Sequence, residues 1–226
     1  MSSESAPILH YGALITLSAE KNKFLYSEGF IDNRVTLDDV RNPELNFEGA
    51  VFRIIPQCLH STQAQILKVI ERGQERKLKN RLEKLEDALD GETKTNHQTY
   101  NKLKGEPIRF GSLVQLEHVQ SRRFLTISSE SAESEKENLK ITLEDYGSEE
   151  AHFKAEPAYN FQREGGAYVK IGDKLKLEVV VPYMSRVANL HASQSKALGA
   201  SFIRQATWSV RAPRLFSEPM EVNASL

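Results

Sequence analysis

Cysteine is almost missing from this 226-residue chain: Cys58 stands alone. No internal disulfide can form, and a reducing compartment is the expected setting. Tryptophan is as scarce, with Trp208 the single instance. No apolar run approaches the ~18 residues that cross a bilayer, and Met1 to Leu9 lacks the basic-then-apolar shape of a signal peptide. An excess of one charge sign is missing too. The 30 Lys+Arg and 31 Asp+Glu leave a net charge of -1, whereas nucleic-acid-binding domains ordinarily carry a basic excess. These absences exclude a disulfide-stapled secreted domain and a membrane span within the chain, and nucleic acid is not an expected partner. They leave open a larger membrane protein of which this is a part.

Signatures of catalysis are equally thin. The six histidines form no HExxH, and Cys58 with His60 supplies too few ligands for zinc. There is no P-loop, no GxGxxG and no GxSxG elbow. The expectation is a protein that is not an enzyme, with no metal and no cofactor. Cys58 follows a strand ending at Pro56 and reads as structural.

What is present is repetition. Gly12-Ala13-Leu14-Ile15-Thr16-Leu17 matches Gly111-Ser112-Leu113-Val114-Gln115-Leu116, and Gly166-Ala167-Tyr168-Val169-Lys170-Ile171 is read as a third copy. The first two copies stay parallel: Phe24-Leu25 with Phe124-Leu125, Arg34 to Leu37 with Lys140 to Leu143, and Val51 to Pro56 with His152 to Pro157. The third continues through Leu175-Lys176-Leu177, Leu190 to Ser193 and Thr207 to Val210. Each unit offers four short strand candidates bounded by Gly, Asn, Asp and Ser. Four strands in each of three units predict an all-β fold, a β-trefoil of twelve strands, closed so that no edge is left to aggregate. Phe52, Phe153 and Trp208 open the fourth strands and are read as core. The boundaries expected within one domain over 1–226 are repeat one at 12–56, repeat two at 111–157, repeat three at 166–211 and a linker or tail at 212–226.

Residues 61–104 break the pattern and read as an inserted α-helical hairpin arm. Leu78, Leu82, Leu85 and Leu89 form one stripe of an amphipathic helix. Ile66, Leu67, Val69 and Ile70 suggest a shorter helix before it, with Ser61 or Thr62 as N-cap and Gly73 as the break. Early cations and late acids oppose the helix dipole if the second helix ends at Asp90. Continuation past Gly91 toward Lys102 and Lys104 would put cations at its C-terminus. The arm is either a solvated projection or a partner-binding element.

Two basic clusters could meet an anion: Arg122-Arg123 in a hairpin of repeat two, and Arg76 to Arg81 on the arm. The sugar-binding form of the trefoil lacks support, because Trp208 follows Ala206-Thr207 where a Q-x-W signature would place glutamine. A free-standing trefoil module for sugar, anionic lipid or protein remains an alternative reading.

The ordered set Gly29-Phe30-Ile31-Asp32-Asn33-Arg34, Gly111 to Thr126 with Gln115, Leu116 and His118, Ile141-Thr142-Leu143, Val169 to Lys174, and Leu190-His191-Ala192-Ser193 followed by Trp208 resembles the N-terminal, or suppressor, domain of inositol trisphosphate receptors. Ryanodine receptors are a more distant match. The resemblance runs from about Ile8 to Val210, with the helical insertion in the same place.

That resemblance implies the first domain of a homotetrameric calcium-release channel on the cytosolic face of the endoplasmic reticulum, with membrane contact only through the rest of the full-length protein. The ligand would be bound by the adjacent core and not by this domain. The domain would lower the core's affinity and couple binding to gating through neighbouring subunits. It further implies coupling positions at Phe30, Ile31, Asp32, Arg34 and Tyr159. Glu28, Glu48 and Gln120 depart from the family's leucine, arginine and lysine. On residues alone, Phe30-Ile31 flanked by Asp32 and Arg34 suits an interface, an apolar centre with charged neighbours. Asp32 and Arg34 closing a turn is the competing reading.

Overall fold

The computed structural model describes residues 6–18, 23–39, 47–71, 79–131, 139–159, 167–180, 201–202 and 207–211. Short alternating runs become strands because each buries one face. β1 (Leu14–Ser18), β2 (Lys23–Tyr26), β3 (Thr36–Asp39) and β4 (Phe52–Pro56) precede two helices, α1 (Ser61–Glu71) and α2 (Lys79–Leu103). There follow β5 (Leu113–His118), β6 (Phe124–Ser131), β7 (Leu139–Glu144), β8 (Phe153–Pro157), β9 (Lys174–Val179), β10 (Ser201–Phe202) and β11 (Thr207–Arg211). The chain is mostly antiparallel β-sheet with few helices. Among the described residues, no helix is long and apolar enough to cross a membrane.

Strand pairing runs in a circuit. β1 pairs with β4, β4 with β5, β5 with β8, β8 with β9, β9 with β11, and β11 with β1 again. Equivalent residues meet at three places: Ile15 opposite Phe52, Val114 opposite Phe153, and Leu175 opposite Trp208. Ile15, Leu17, Phe52, Val114, Leu116, Phe153, Leu175 and Leu177 are buried in one cluster, the hydrophobic burial that drives sheet closure.

The third unit aligns differently from its sequence reading. Its counterpart of Gly12 and Gly111 is Gly172, not Gly166. All three sit in the left-handed region, at φ +87°, +91° and +96°, where an L side chain is strained. Leu175-Lys176-Leu177 therefore lies in the first strand of that unit. The repeat was misread because Gly166 also precedes an apolar run, and sequence does not display φ. Gly165-Gly166, Leu190 to Ser193 and the 212–226 tail lie outside the described residues.

Just before each glycine turn, Leu9, Ile108 and Val169 close a backbone ring. Leu9 N–H donates to Val169 O (2.8 Å), Val169 N–H to Ile108 O (2.9 Å), and Ile108 N–H to Leu9 O (2.8 Å). All three side chains are buried in the core.

α2 runs from Lys79 straight through Gly91 to Leu103, with Lys102 in the last turn where cations meet the dipole. Ser61 Oγ and the Thr62 N–H both donate to Glu92 Oε2 at 2.9 Å, so a carboxylate from α2 caps the start of α1. Asn96 grips Leu59 twice, accepting its N–H at 2.7 Å and donating to its carbonyl at 2.8 Å. Gly73 and the side chains of Leu78, Leu82 and the Arg76 to Arg81 cluster fall outside the described set.

Candidate functional site

The loop from Ser27 to Val35 joins β2 to β3 and carries two exposed apolar side chains, Phe30 at 66% and Ile31 at 85%. Exposed large apolar pairs mark contact surfaces when the backbone beneath them is fixed. Here it is fixed from several sides. The Asp32 carboxylate accepts the Arg34 N–H at 3.0 Å, closing an Asx turn. Ser27 Oγ donates to Arg34 O at 2.6 Å. Leu143 N–H donates to Asn33 O at 2.9 Å, which ties the loop to β7.

Arg123 completes the clamp. Its Nη1 donates to Gly29 O at 3.0 Å and to Asp32 O at 3.4 Å, while Nε donates to Asp145 Oδ1 at 2.6 Å. Guanidinium suits this task because its planar fork presents several donors at once.

Below the loop sits His118, fully buried at the end of β5. The Gly49 carbonyl, 3.2 Å from Nε2, can only accept, so Nε2 carries the proton. Nδ1 then accepts the Ser121 hydroxyl at 2.8 Å. Burial holds the imidazole below its ordinary pKa and outweighs the Gly49 bond, which acts the other way. The ring also packs against Phe52, with centroids 5.3 Å apart. A Cβ at Gly29 would come within 2.8 Å of that ring, and Gly29 sits at φ +72°. Glycine is required there on both counts.

The structure gathers Phe30, Ile31, Asp32 and Arg34 on one loop. Asp32 and Arg34 close the turn, and their exposed side chains approach each other at 3.7 Å. Tyr159 stands elsewhere, 43% exposed beyond the far end of β8 with the Lys174 ammonium 5.8 Å from its ring. β4 and β8 both run away from the His118 end of β5, so Tyr159 and Phe30 lie at opposite ends of the strands.

Arg122 and Arg123 turn to different partners. Arg123 directs Nε to Asp145 and Nη1 to the loop. Arg122, in the left-handed region at φ 61°, turns its Nη1 to Glu117 at 3.3 Å. Glu28 and Glu48 are exposed and Gln120 is half-buried. Sequence reasoning missed the Gly29–His118–Gly49 column and the clamping role of Arg123. The one available signal was a buried-strand histidine three residues before Ser121.

The family described as inositol 1,4,5-trisphosphate/ryanodine receptor matches residues 4–218. The inositol 1,4,5-trisphosphate receptor itr-1 of Caenorhabditis elegans is 31% identical over 183 residues, covering 75% of this chain and 6% of the worm receptor. The chain thus spans a small fraction of the length of that relative.

Proposed function

Since the chain belongs to the inositol 1,4,5-trisphosphate/ryanodine receptor family, we propose that it is the regulatory N-terminal domain of a ligand-gated calcium-release channel in the endoplasmic reticulum membrane, facing the cytosol. On this reading it is a receptor domain and not an enzyme. It lowers the affinity of an adjacent inositol trisphosphate-binding core and couples binding to gating through the neighbouring domain and subunits of a homotetramer. The observation that carries the reading is the apolar tip Phe30-Ile31, exposed on a loop whose carbonyls are clamped by Arg123. A fixed apolar tip with charged flanks is built for protein contact, and Tyr159 offers a second contact at the far end. The closed strand circuit and the Leu9–Ile108–Val169 ring support the finer reading of the fold as a twelve-stranded β-trefoil.

The mechanism is linkage. Contacts that Phe30 and Ile31 make only in the low-affinity arrangement must break when ligand binds, and their free energy appears as lost affinity. About 1.4 kcal/mol is a tenfold change in Kd, within the reach of two apolar side chains that bury ~1.5–3 kcal/mol each. Calorimetry provides the test. This chain alone should give no heat with inositol trisphosphate. Joined to the following segment, it should weaken that segment's binding, and Phe30→Ala with Ile31→Ala should restore much of the loss. Equal affinity with and without the domain would overturn the reading.

A further inference from the structure

Where the helical pair meets the sheet, half-buried His60 packs against buried His152. His60 immediately precedes α1, His152 precedes β8, and their ring centroids are 5.7 Å apart. Hydrogen-bond partners meet both rings. His152 Nε2 lies 2.9 Å from the Cys58 carbonyl and must donate to it. Its Nδ1 is left to accept the Gln57 side-chain amide at 3.3 Å. His60 Nε2 lies 3.0 Å from Gln115 Nε2, an amide donor, and so accepts. Gln115 is held in that orientation because its Oε1 accepts the Cys58 N–H at 2.9 Å. That same oxygen lies 3.4 Å from His60 Nε2, the longer of the two approaches.

Each ring therefore meets its nearest amide nitrogen as an acceptor. A second proton on His152 Nδ1 would face the Gln57 donor, and one on His60 Nε2 would face the Gln115 donor. Both cations would then sit side by side, the one at His152 buried. Space for rearrangement is small: His60 also packs on Phe124, with centroids 5.9 Å apart, and fills the volume that a Cβ on Gly147 would need. The segment pinned here, Cys58-Leu59-His60, leads directly into α1, and Leu59 is the residue gripped by Asn96 of α2.

We propose that His60 and His152 form a proton-operated latch that holds the foot of the α1–α2 pair on the sheet, closed when both rings are neutral and opened by their protonation. The charged groups around the latch oppose opening but do not prevent it. Glu92 on α2 favours the cation at His60, and Glu149 and Glu150 favour it at His152; Gln115 favours it at His60 only through its Oε1, the longer approach at 3.4 Å. Burial is the largest influence on both rings and leaves each below the ordinary 6.5, with His152 adding its repulsion at His60. Cys58 stays an uncharged thiol, pushed up to about 11 by burial and by Glu117. For a histidine depressed in the closed state, the stabilisation is complete above the free value of 6.5 and is lost as pH falls below it.

The experiment is a proton NMR titration of the histidine rings of this chain from pH 8 to 5, with amide hydrogen exchange at each pH corrected for the intrinsic rate. His60 and His152 should titrate below 6.5. Over the same interval, protection of the Cys58, Leu59 and Thr62 amides should fall about tenfold for each unit by which a ring is depressed. The Leu9, Ile108 and Val169 amides should keep theirs. In a variant carrying His60→Gln and His152→Gln, protection at the three arm amides should no longer respond to pH. Flat protection in the unmodified chain overturns the latch, as do rings titrating at 6.5 or above. A fall that persists in the double variant overturns it too. Should that variant not fold, the match between ring titration and loss of protection in the unmodified chain decides.

Discussion

The backbone N–H of Ile108 donates to the carbonyl of Leu9 at 2.8 Å, although the whole first unit and both helices lie between them in sequence. Together with Val169 these residues tie the starts of the three units into a single ring of hydrogen bonds. Leu9 is nearly fully buried there, at 1%. Replacing it with alanine leaves a cavity where three units converge, and Leu9→Ala should cost about 2–5 kcal/mol. Urea unfolding of the variant checks this, and a cost under 1 kcal/mol would mean the site collapses without loss.

Two glycines should respond in opposite directions to alanine. Gly29→Ala combines a positive φ with a 2.8 Å approach to the His118 ring. The backbone strain alone should cost about 1–3 kcal/mol, and the ring must also move. Gly91 lies in the middle of α2 with nothing within 4 Å of an added Cβ. There Gly91→Ala should stabilise by about 0.5–1 kcal/mol through helix propensity. Thermal melting of the pair of variants measures both signs.

Arg123→Lys keeps the charge but loses the fork that reaches Gly29, Asp32 and Asp145 together. Hydrogen bonds from charged donors are worth about 1.5–3 kcal/mol, so stability should fall by an amount in that range. The loop carrying Phe30 and Ile31 should also lose amide protection, most of all at Arg34. Arg122→Lys, by contrast, touches only an exposed ion pair with Glu117 and should shift stability by less than about 1 kcal/mol. Equal effects of the two substitutions would show that Arg123 is not the clamp.

Cys58 should resist alkylation. Burial, with a smaller contribution from Glu117, pushes its thiol up to about 11. At pH 8 the thiolate is then on the order of one part in a thousand. Iodoacetamide should label it slowly in the folded chain and rapidly in urea, as read by intact mass. Fast labelling of the folded chain would show that the Pro56–His60 segment opens readily.

Part of this protein was legible from sequence because part of it is local. Alternation of apolar residues marked the strands of the first two units, and the leucine spacing marked a helix. The four residues of the Phe30 loop followed from the family resemblance, which a contiguous Gly-Phe-Ile-Asp-Asn-Arg run helps to carry. The third unit was misaligned, because Gly166 and Gly172 look alike until their backbone angles are known. Only Gly172 is in the left-handed turn described here.

Tertiary structure alone decided what Arg123, His118 and His60 do. In sequence Arg123 is a cation on a hairpin and an invitation to an anion. Folding brings it to carbonyls of the β2–β3 loop and to Asp145, and Nε and Nη1 donate there. Gln115 lies between inward-facing Val114 and Leu116, so alternation alone sends it to solvent. The arm's foot covers it instead, and there its amide finds partners in the Cys58 N–H and His60. Sequence by itself determined which segments could be strand or helix, through periodicity and propensity. Which polar side chains became fixed was decided by long-range packing, because hydrogen bonds between distant residues exist only once the sheet has brought them within 3 Å.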